Sequence, residues 1–197
     1  MNYPPKHHQD DNKNHIIEVI KTYPLATLIS IKDDVPLITH LPLIFKDDTL
    51  IGHIDIYNPQ TKLLKDNNDI TILFNGPQCY ISPSVYSTTQ LPTWNYIRAH
   101  LKGKVKAIEN TQALKNSLIE MTEFLEAPDH KYVLDANNPR LDANLKYIKL
   151  FKIKINSWEG KFKLSQDKKP SDIRSARAEL LRANQESIKV FLDEVFK

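Results

Sequence analysis

Three β-type segments follow one another across residues 25–31, 35–45 and 49–56, and the connections between them are only two or three residues long. The linkers read Lys32-Asp33-Asp34 and Lys46-Asp47-Asp48. A connection that short joins antiparallel neighbours, because a parallel crossover takes a dozen residues or more. The spacing therefore predicts an antiparallel meander. An amphipathic helix over residues 14–23 precedes it, with Ile16, Ile17, Val19, Ile20 and Tyr23 as its apolar face and Pro24 as its stop.

Beyond the meander, residues 61–67 read as one or two helical turns leading into an apolar strand over 70–74. Residues 75–96 carry Pro77, Pro83 and Pro92, which argues against one regular central strand throughout. Strand character resumes over 96–107. Residues 111–126 form a helix with Leu114, Leu118, Met121 and Leu125 on one face. A loop over 127–144 follows, then a strong strand over 147–155. A capped helix opens at Ser171 or Asp172, its apolar stripe lapses at Asn184-Gln185-Glu186, and Ile188, Phe191, Leu192 and Val195 restart it.

About seven short strands with peripheral helices and only four glycines predict a mainly β (α+β) antiparallel barrel rather than a βαβ fold. No GxGxxG, GxxxxGK[ST] or GxSxG pattern is present, which disfavours a dinucleotide fold, a P-loop and an α/β-hydrolase. The polar first thirteen residues lack the apolar core of a signal peptide, no apolar run reaches membrane-spanning length, and Cys79 is the sole cysteine. A cytoplasmic protein is expected. Charge is uneven: thirteen Lys/Arg face seven Asp/Glu over residues 146–197, against fourteen and seventeen before them. A basic C-terminal third suits either a solvated surface or an anionic partner such as DNA.

On the strand over 97–106, Arg98, His100, Lys102, Lys104 and Lys106 alternate with Ile97, Ala99, Leu101, Gly103 and Val105. Alternation puts the five basic residues on one face, either solvated or neutralised by an anion. The histidines, among them His40, His53 and His100, show no metal-ligand spacing, so no metal site is expected. Cys79 has no local base and reads as buried and inert. Tyr80, Tyr86, Trp94 and Tyr96 suit either a barrel rim, a subunit interface, or a flat wall for a planar ring system.

Six short motifs then occur in order: Gly52-His53, Asn58-Pro59-Gln60, Phe74-Asn75-Gly76-Pro77, Tyr80-Ile81-Ser82-Pro83-Ser84, Pro92-Thr93-Trp94-Asn95-Tyr96 and Lys163-Leu164-Ser165-Gln166. With Met1-Asn2-Tyr3-Pro4-Pro5, Thr27-Leu28-Ile29-Ser30 and His40-Leu41-Pro42-Leu43, they span residues 1 to 170. Together they resemble the PaiB-type FMN-binding negative transcriptional regulator family. The resemblance implies a split β-barrel related to pyridoxamine-phosphate oxidase, a homodimer with FMN near the subunit interface, and a role in transcriptional repression. Residues 1–168 would form the FMN-binding domain, and 169–197 a helical extension packed on the barrel or the dimer partner.

FMN carries a phosphate dianion that needs cations, hydroxyls or backbone N–H groups. The resemblance places Lys62 at that phosphate with Asn58 and Gln60 beside it, and His40, Leu41 and Pro42 along the ring or ribityl chain. Tyr80, Ser82, Trp94 and Asn95 would close the implied pocket or contribute to the dimer interface, and His53, Lys163, Ser165 and Gln166 are placed near the site by the same resemblance. Where the family carries an arginine and a tryptophan around the Asn-Pro pair, this chain reads Asp55-Ile56-Tyr57 and Gln60-Thr61. No catalytic residue is assigned. A flavin-dependent oxidoreductase is the alternative reading, since the cofactor carries such chemistry itself.

Overall fold

Asp33, Asp34, Asp47 and Asp48 all adopt positive φ, at 49°, 62°, 50° and 57°. Two consecutive left-handed residues are what a type I′ turn requires, and that turn matches the twist of the strands it joins. Around them lie β2 (Leu25–Lys32), β3 (Val35–Pro42), β4 (Ile44–Lys46) and β5 (Thr49–Asp55), with β1 a two-residue strand at Gln9–Asp10. In this computed structural model, residues 3–184 and 189–195 are described.

The β2–β3 hairpin is antiparallel with Ile29 opposite Ile38, and β4–β5 pairs Phe45 with Leu50. The remaining strands are β6 (Asp69–Ile81), β7 (Thr93–Ile108) and β8 (Ile148–Lys163). The sheet runs β3-β2-β6-β7-β8-β5-β4, with β1 pairing with β8, and it does not close on itself. Eight strands are thus present among the described residues. Helices α1 (Lys13–Thr22), α2 (Thr111–Glu126), α3 (Pro139–Asn144), α4 (Pro170–Asn184) and α5 (Lys189–Val195) accompany them. The fold is a mainly β split barrel with peripheral helices.

Two strands are longer than sequence periodicity suggests. Along β6 the buried residues are Ile70, Ile72 and Phe74, then Pro77, Cys79 and Ile81. The buried set slips from even to odd positions across Asn75-Gly76, as a β-bulge does, so the alternation breaks although the strand continues. Along β8 alternation lapses from Ile155 to Glu159, where no residue is fully buried, and resumes at Gly160 and Phe162. Pro139 seeds α3 at its first turn, with Asn138 as its cap, inside the stretch read as a loop. Helix α4 ends at Asn184, where the stripe lapses; Gln185, Glu186 and Ile188 lie outside the described residues.

The chain organises into two compact units. One comprises Pro24–Leu73 and Leu101–Ser157. Its core includes Ile51, Leu114, Leu141, Leu145 and Leu150, which seat α2 and α3 against β5 and β8. A Cβ on Gly52 would lie 2.4 Å from Leu43 and 3.0 Å from Phe151, so only a glycine lets these side chains close over β5. The other comprises Met1–Tyr23, Phe74–His100 and Trp158–Lys197. There α1 contributes buried Ile16, Val19 and Ile20, and α4 contributes Ala176 and Leu180. No described helix is long and apolar enough to cross a membrane.

Candidate cofactor site

In the unit built from Pro24–Leu73 and Leu101–Ser157, a short 3-10 turn at Pro59–Leu63 is stapled on three sides. Asn58 caps it, its Oδ1 accepting from the Gln60 N–H at 2.9 Å, while its Nδ2 donates to Thr39 Oγ1 on β3 at 3.0 Å. Gln60 is buried and donates its amide to Ser30 Oγ on β2 at 2.9 Å. Thr61 Oγ1 donates to the Asp55 carbonyl at the end of β5 at 2.9 Å. A loop with its backbone polar groups tied in this way holds a fixed geometry.

Lys62 sits exposed on that turn and makes no ion pair among the described residues. His40 is exposed on β3, its Nδ1 3.0 Å from Thr27 Oγ1 across the hairpin; Leu41 is buried and Pro42 half-buried. Gln60 Oε1 is buried without a hydrogen-bond partner. His53 is engaged on α2, where its Nε2 shares a 2.9 Å hydrogen bond with Ser117 Oγ. Burial holds the His53 imidazole neutral, its pKa down to about 4.

In the unit containing Phe74–His100, Tyr80 on β6 and Trp94 on β7 present half-exposed rings whose centroids are 6.4 Å apart at 55°. Trp94 Nε1 donates to Gln78 Oε1 at 3.2 Å, which fixes the indole. The neighbouring Asn95 is buried and donates Nδ2 to Ser165 Oγ at 3.1 Å, and the Tyr86 hydroxyl lies 2.9 Å from the same oxygen. Ser165 has φ 65° in the turn after β8. Gln166 closes that turn with its own side chain, Oε1 accepting from the Leu164 N–H at 2.7 Å and Nε2 donating to the Phe162 carbonyl. Ser82 caps the 3-10 turn Pro83–Val85, and Lys163 is half-buried.

Asn95 and Ser165, far apart in sequence, are therefore brought together, and Tyr86 joins them. Tyr86 stood out only as one of four aromatics; nothing local marks its hydroxyl as a partner for Ser165. Asp172 on α4 is a second such residue. Its buried carboxylate accepts from the Ser87 N–H and Oγ, both at 2.7 Å, and from Thr88 Oγ1 at 2.5 Å. The Thr88 and Ser87 hydrogen bonds hold its pKa below the usual carboxylate range.

The alternating face of β7 is as expected, with Ile97, Ala99, Leu101, Gly103 and Val105 buried. Its basic row is divided among different partners. Arg98 donates to the Gly76 and Ile97 carbonyls, His100 is half-buried with its pKa lowered first by burial and then by Lys161, and Lys104 pairs with Asp69 at 2.8 Å. Cys79 is buried, and burial followed by Glu179 pushes its thiol up to about 11. On α4, Arg177 is paired with Asp193 and Arg182 with Glu179.

Within each unit the groups present fit one part of FMN. Lys62 is a cation with no ion pair among the described residues and sits on a rigid turn, the chemistry a phosphate dianion calls for. Tyr80 and Trp94 offer flat, partly apolar surface, the chemistry an isoalloxazine ring calls for. The two groups belong to different units.

Known proteins resemble the chain at several levels. A family profile described as "Putative FMN-binding domain" matches residues 2–157. The Protease synthase and sporulation protein PAI 2 of Bacillus subtilis (strain 168) is 33% identical over 175 residues, covering 86% of this chain and 84% of that protein. Among solved structures, the FAD and heme binding protein from Mycobacterium smegmatis superposes with a TM-score of 0.66 at 19% identity, covering 85% of this chain and 80% of that one. The flavocytochrome Anf3 from Azotobacter vinelandii gives 0.63 at 15% identity, over 79% and 69%. These two likenesses speak to the split-barrel fold alone. The match over most of the sequence shows that the chain belongs to the PaiB-type FMN-binding family, whose cofactor is FMN.

Proposed function

We propose that this chain binds FMN as a cytoplasmic homodimer and acts as a PaiB-like transcriptional regulator. The observation that carries the reading is Lys62, an exposed cation with no ion pair among the described residues, on a turn that Asn58, Gln60 and Thr61 anchor to three strands. Bound FMN supplies a planar, reversibly reducible ring system. Lys62 holds the phosphate, and Asn58 and Gln60 keep the turn that presents it. His40, Leu41 and Pro42 line the ribityl chain. In the other unit the exposed rings of Tyr80 and Trp94 suit a planar ring or the subunit interface, and Asn95, Ser165 and Tyr86 keep the strand and turn beside them in register; Ser82, Lys163 and Gln166 shape the surrounding turns.

The dimer reading is supported by the outward face of the β2–β3 hairpin, where exposed Leu25, Ile31 and Ile38 form an apolar surface beside the edge strand β3. A DNA contact through the basic C-terminal surface would rest on Lys169 and Arg174, since Arg177 and Arg182 are engaged by acids.

The test is an FMN titration followed by flavin fluorescence, with sedimentation of the same samples. Removing a charge-assisted phosphate contact costs about 1.5–3 kcal/mol, so Lys62→Ala should weaken FMN binding ~10- to 150-fold, with Lys62→Arg recovering most of it. Equal affinity in Lys62→Ala would reject the phosphate assignment, and a monomer in the presence of FMN would reject the dimer.

A further inference from the structure

We propose that His7, His8 and Asp167 form a binding site for a divalent transition-metal ion of the zinc type, closing the N-terminal turn onto the turn that follows β8. One ligand atom from each of the three lies within 4.8 Å of the others. Two imidazoles and one carboxylate are the donor set of zinc and its neighbours, whereas calcium and magnesium take oxygen ligands. Metal–ligand bonds of about 2.0–2.1 Å place tetrahedral donor atoms roughly 3.3 Å apart, so the donors need to draw together by no more than about 1.5 Å.

The backbone sets this arrangement up. β1 pairs with β8 through Gln9 opposite Lys161 and Asp10 opposite Gly160. A Cβ on Gly160 would lie 2.5 Å from the Asp10 carbonyl oxygen, so the glycine is what lets β1 dock. The 3-10 turn Lys6–His8 immediately precedes β1, and Asp167 follows the end of β8, so the ladder delivers both to one place. Within the turn the two imidazoles stand edge to face, centroids 4.1 Å apart.

Two further observations point to a ligand. His8 Nε2 is buried with no hydrogen-bond partner among the described residues, a polar atom desolvated without return. The Asp167 carboxylate is held at 2.9 Å by the Lys168 ammonium, a cation that an arriving metal ion would displace. One coordination position is left for water, and three protein ligands suffice for a reversible site. Asp167 lies two residues beyond Ser165, so an ion here would also brace the turn that Tyr86 and Asn95 hold. Separation along the chain hides the cluster from any spacing rule.

The experiment is a Zn2+ titration of the untagged full chain, read by competition with a chromophoric chelator, with far-UV circular dichroism of each variant. One ion per chain is expected. His8→Gln and Asp167→Asn should each weaken binding ~10- to 100-fold, and Lys168→Ala should tighten it by freeing the carboxylate. Cys79→Ser, which alters a thiol outside the cluster, should leave affinity unchanged. If His8→Gln unfolds, Asp167→Asn carries the test. No stoichiometric binding, unchanged affinity in Asp167→Asn, loss in Cys79→Ser, or weaker binding in Lys168→Ala would each overturn the proposal.

Discussion

His53 makes stability depend on pH in a way that can be isolated by one substitution. Its imidazole is half-buried where β5 meets α2 and bonded to Ser117, and burial lowers its pKa from 6.5 to about 4. The unfolded chain therefore takes up this proton at higher pH than the folded one. The stability at stake is fully present above pH 6.5, is lost as pH falls from about 6.5 to about 4, and is constant below that. At 1.36 kcal/mol per pH unit the full gap is ~3 kcal/mol, and ~2–3 kcal/mol after allowing for the water that reaches the partly exposed ring. The assay is urea unfolding of wild type and His53→Gln at pH 7, 6, 5 and 4.5. Glutamine can keep a hydrogen bond to Ser117 and does not titrate, so other groups cancel in the difference. The stability difference, wild type minus variant, should shrink steadily with acidity. Parallel behaviour of the two proteins across this range would refute the reasoning.

Two other perturbations follow from close packing. In Gly103→Ala the new Cβ would meet Ile153 at 2.5 Å and the Lys154 carbonyl oxygen at 2.6 Å; overpacking against backbone costs about 1–3 kcal/mol, and thermal unfolding should show Tm lower by ~4–10 °C. Gly76→Ala, with its nearest contacts at 3.2 Å to the Ile97 side chain, should cost clearly less in the same assay. The thiol of Cys79, moved from 9.0 to about 11, should react with a disulfide reagent at pH 7.5 at least ~100-fold more slowly in the native protein than in urea; equal rates would contradict its burial.

The hairpins were legible because a two-residue acidic turn leaves the chain few options, and α2 because four apolar residues share one helical face. Strand β7 announced its faces by simple alternation. Sequence periodicity shortens β6 because the slip at Asn75-Gly76 reverses which residues face inward, so that a window of fixed phase sees two fragments. Periodicity shortens β8 for a different reason: from Ile155 to Glu159 neither face is fully buried. Among candidate site residues, Asn58 and Gln60 announced a capped turn through the Asn-Pro pair, while their attachments to Thr39 and Ser30 are tertiary and leave no local trace. The same holds for Tyr86 against Ser165 and for Asp172 against Ser87 and Thr88. Sequence patterns register what a residue does to its neighbours in the chain, and these pairs act on residues far along it.

The type I′ turns have a stereochemical corollary. At Asp33, Asp34, Asp47 and Asp48 an L-residue adopts a backbone shape natural to its mirror image, at roughly 1–2 kcal/mol apiece. Inversion of the Cα centre at any of them would relieve that conformational penalty rather than add one. Within a regular strand or helix the same inversion would add the penalty instead. In this chain four aspartates stand where the mirror-image residue is the better fit, so an α-linked D-aspartate at a hairpin tip is compatible with an intact sheet.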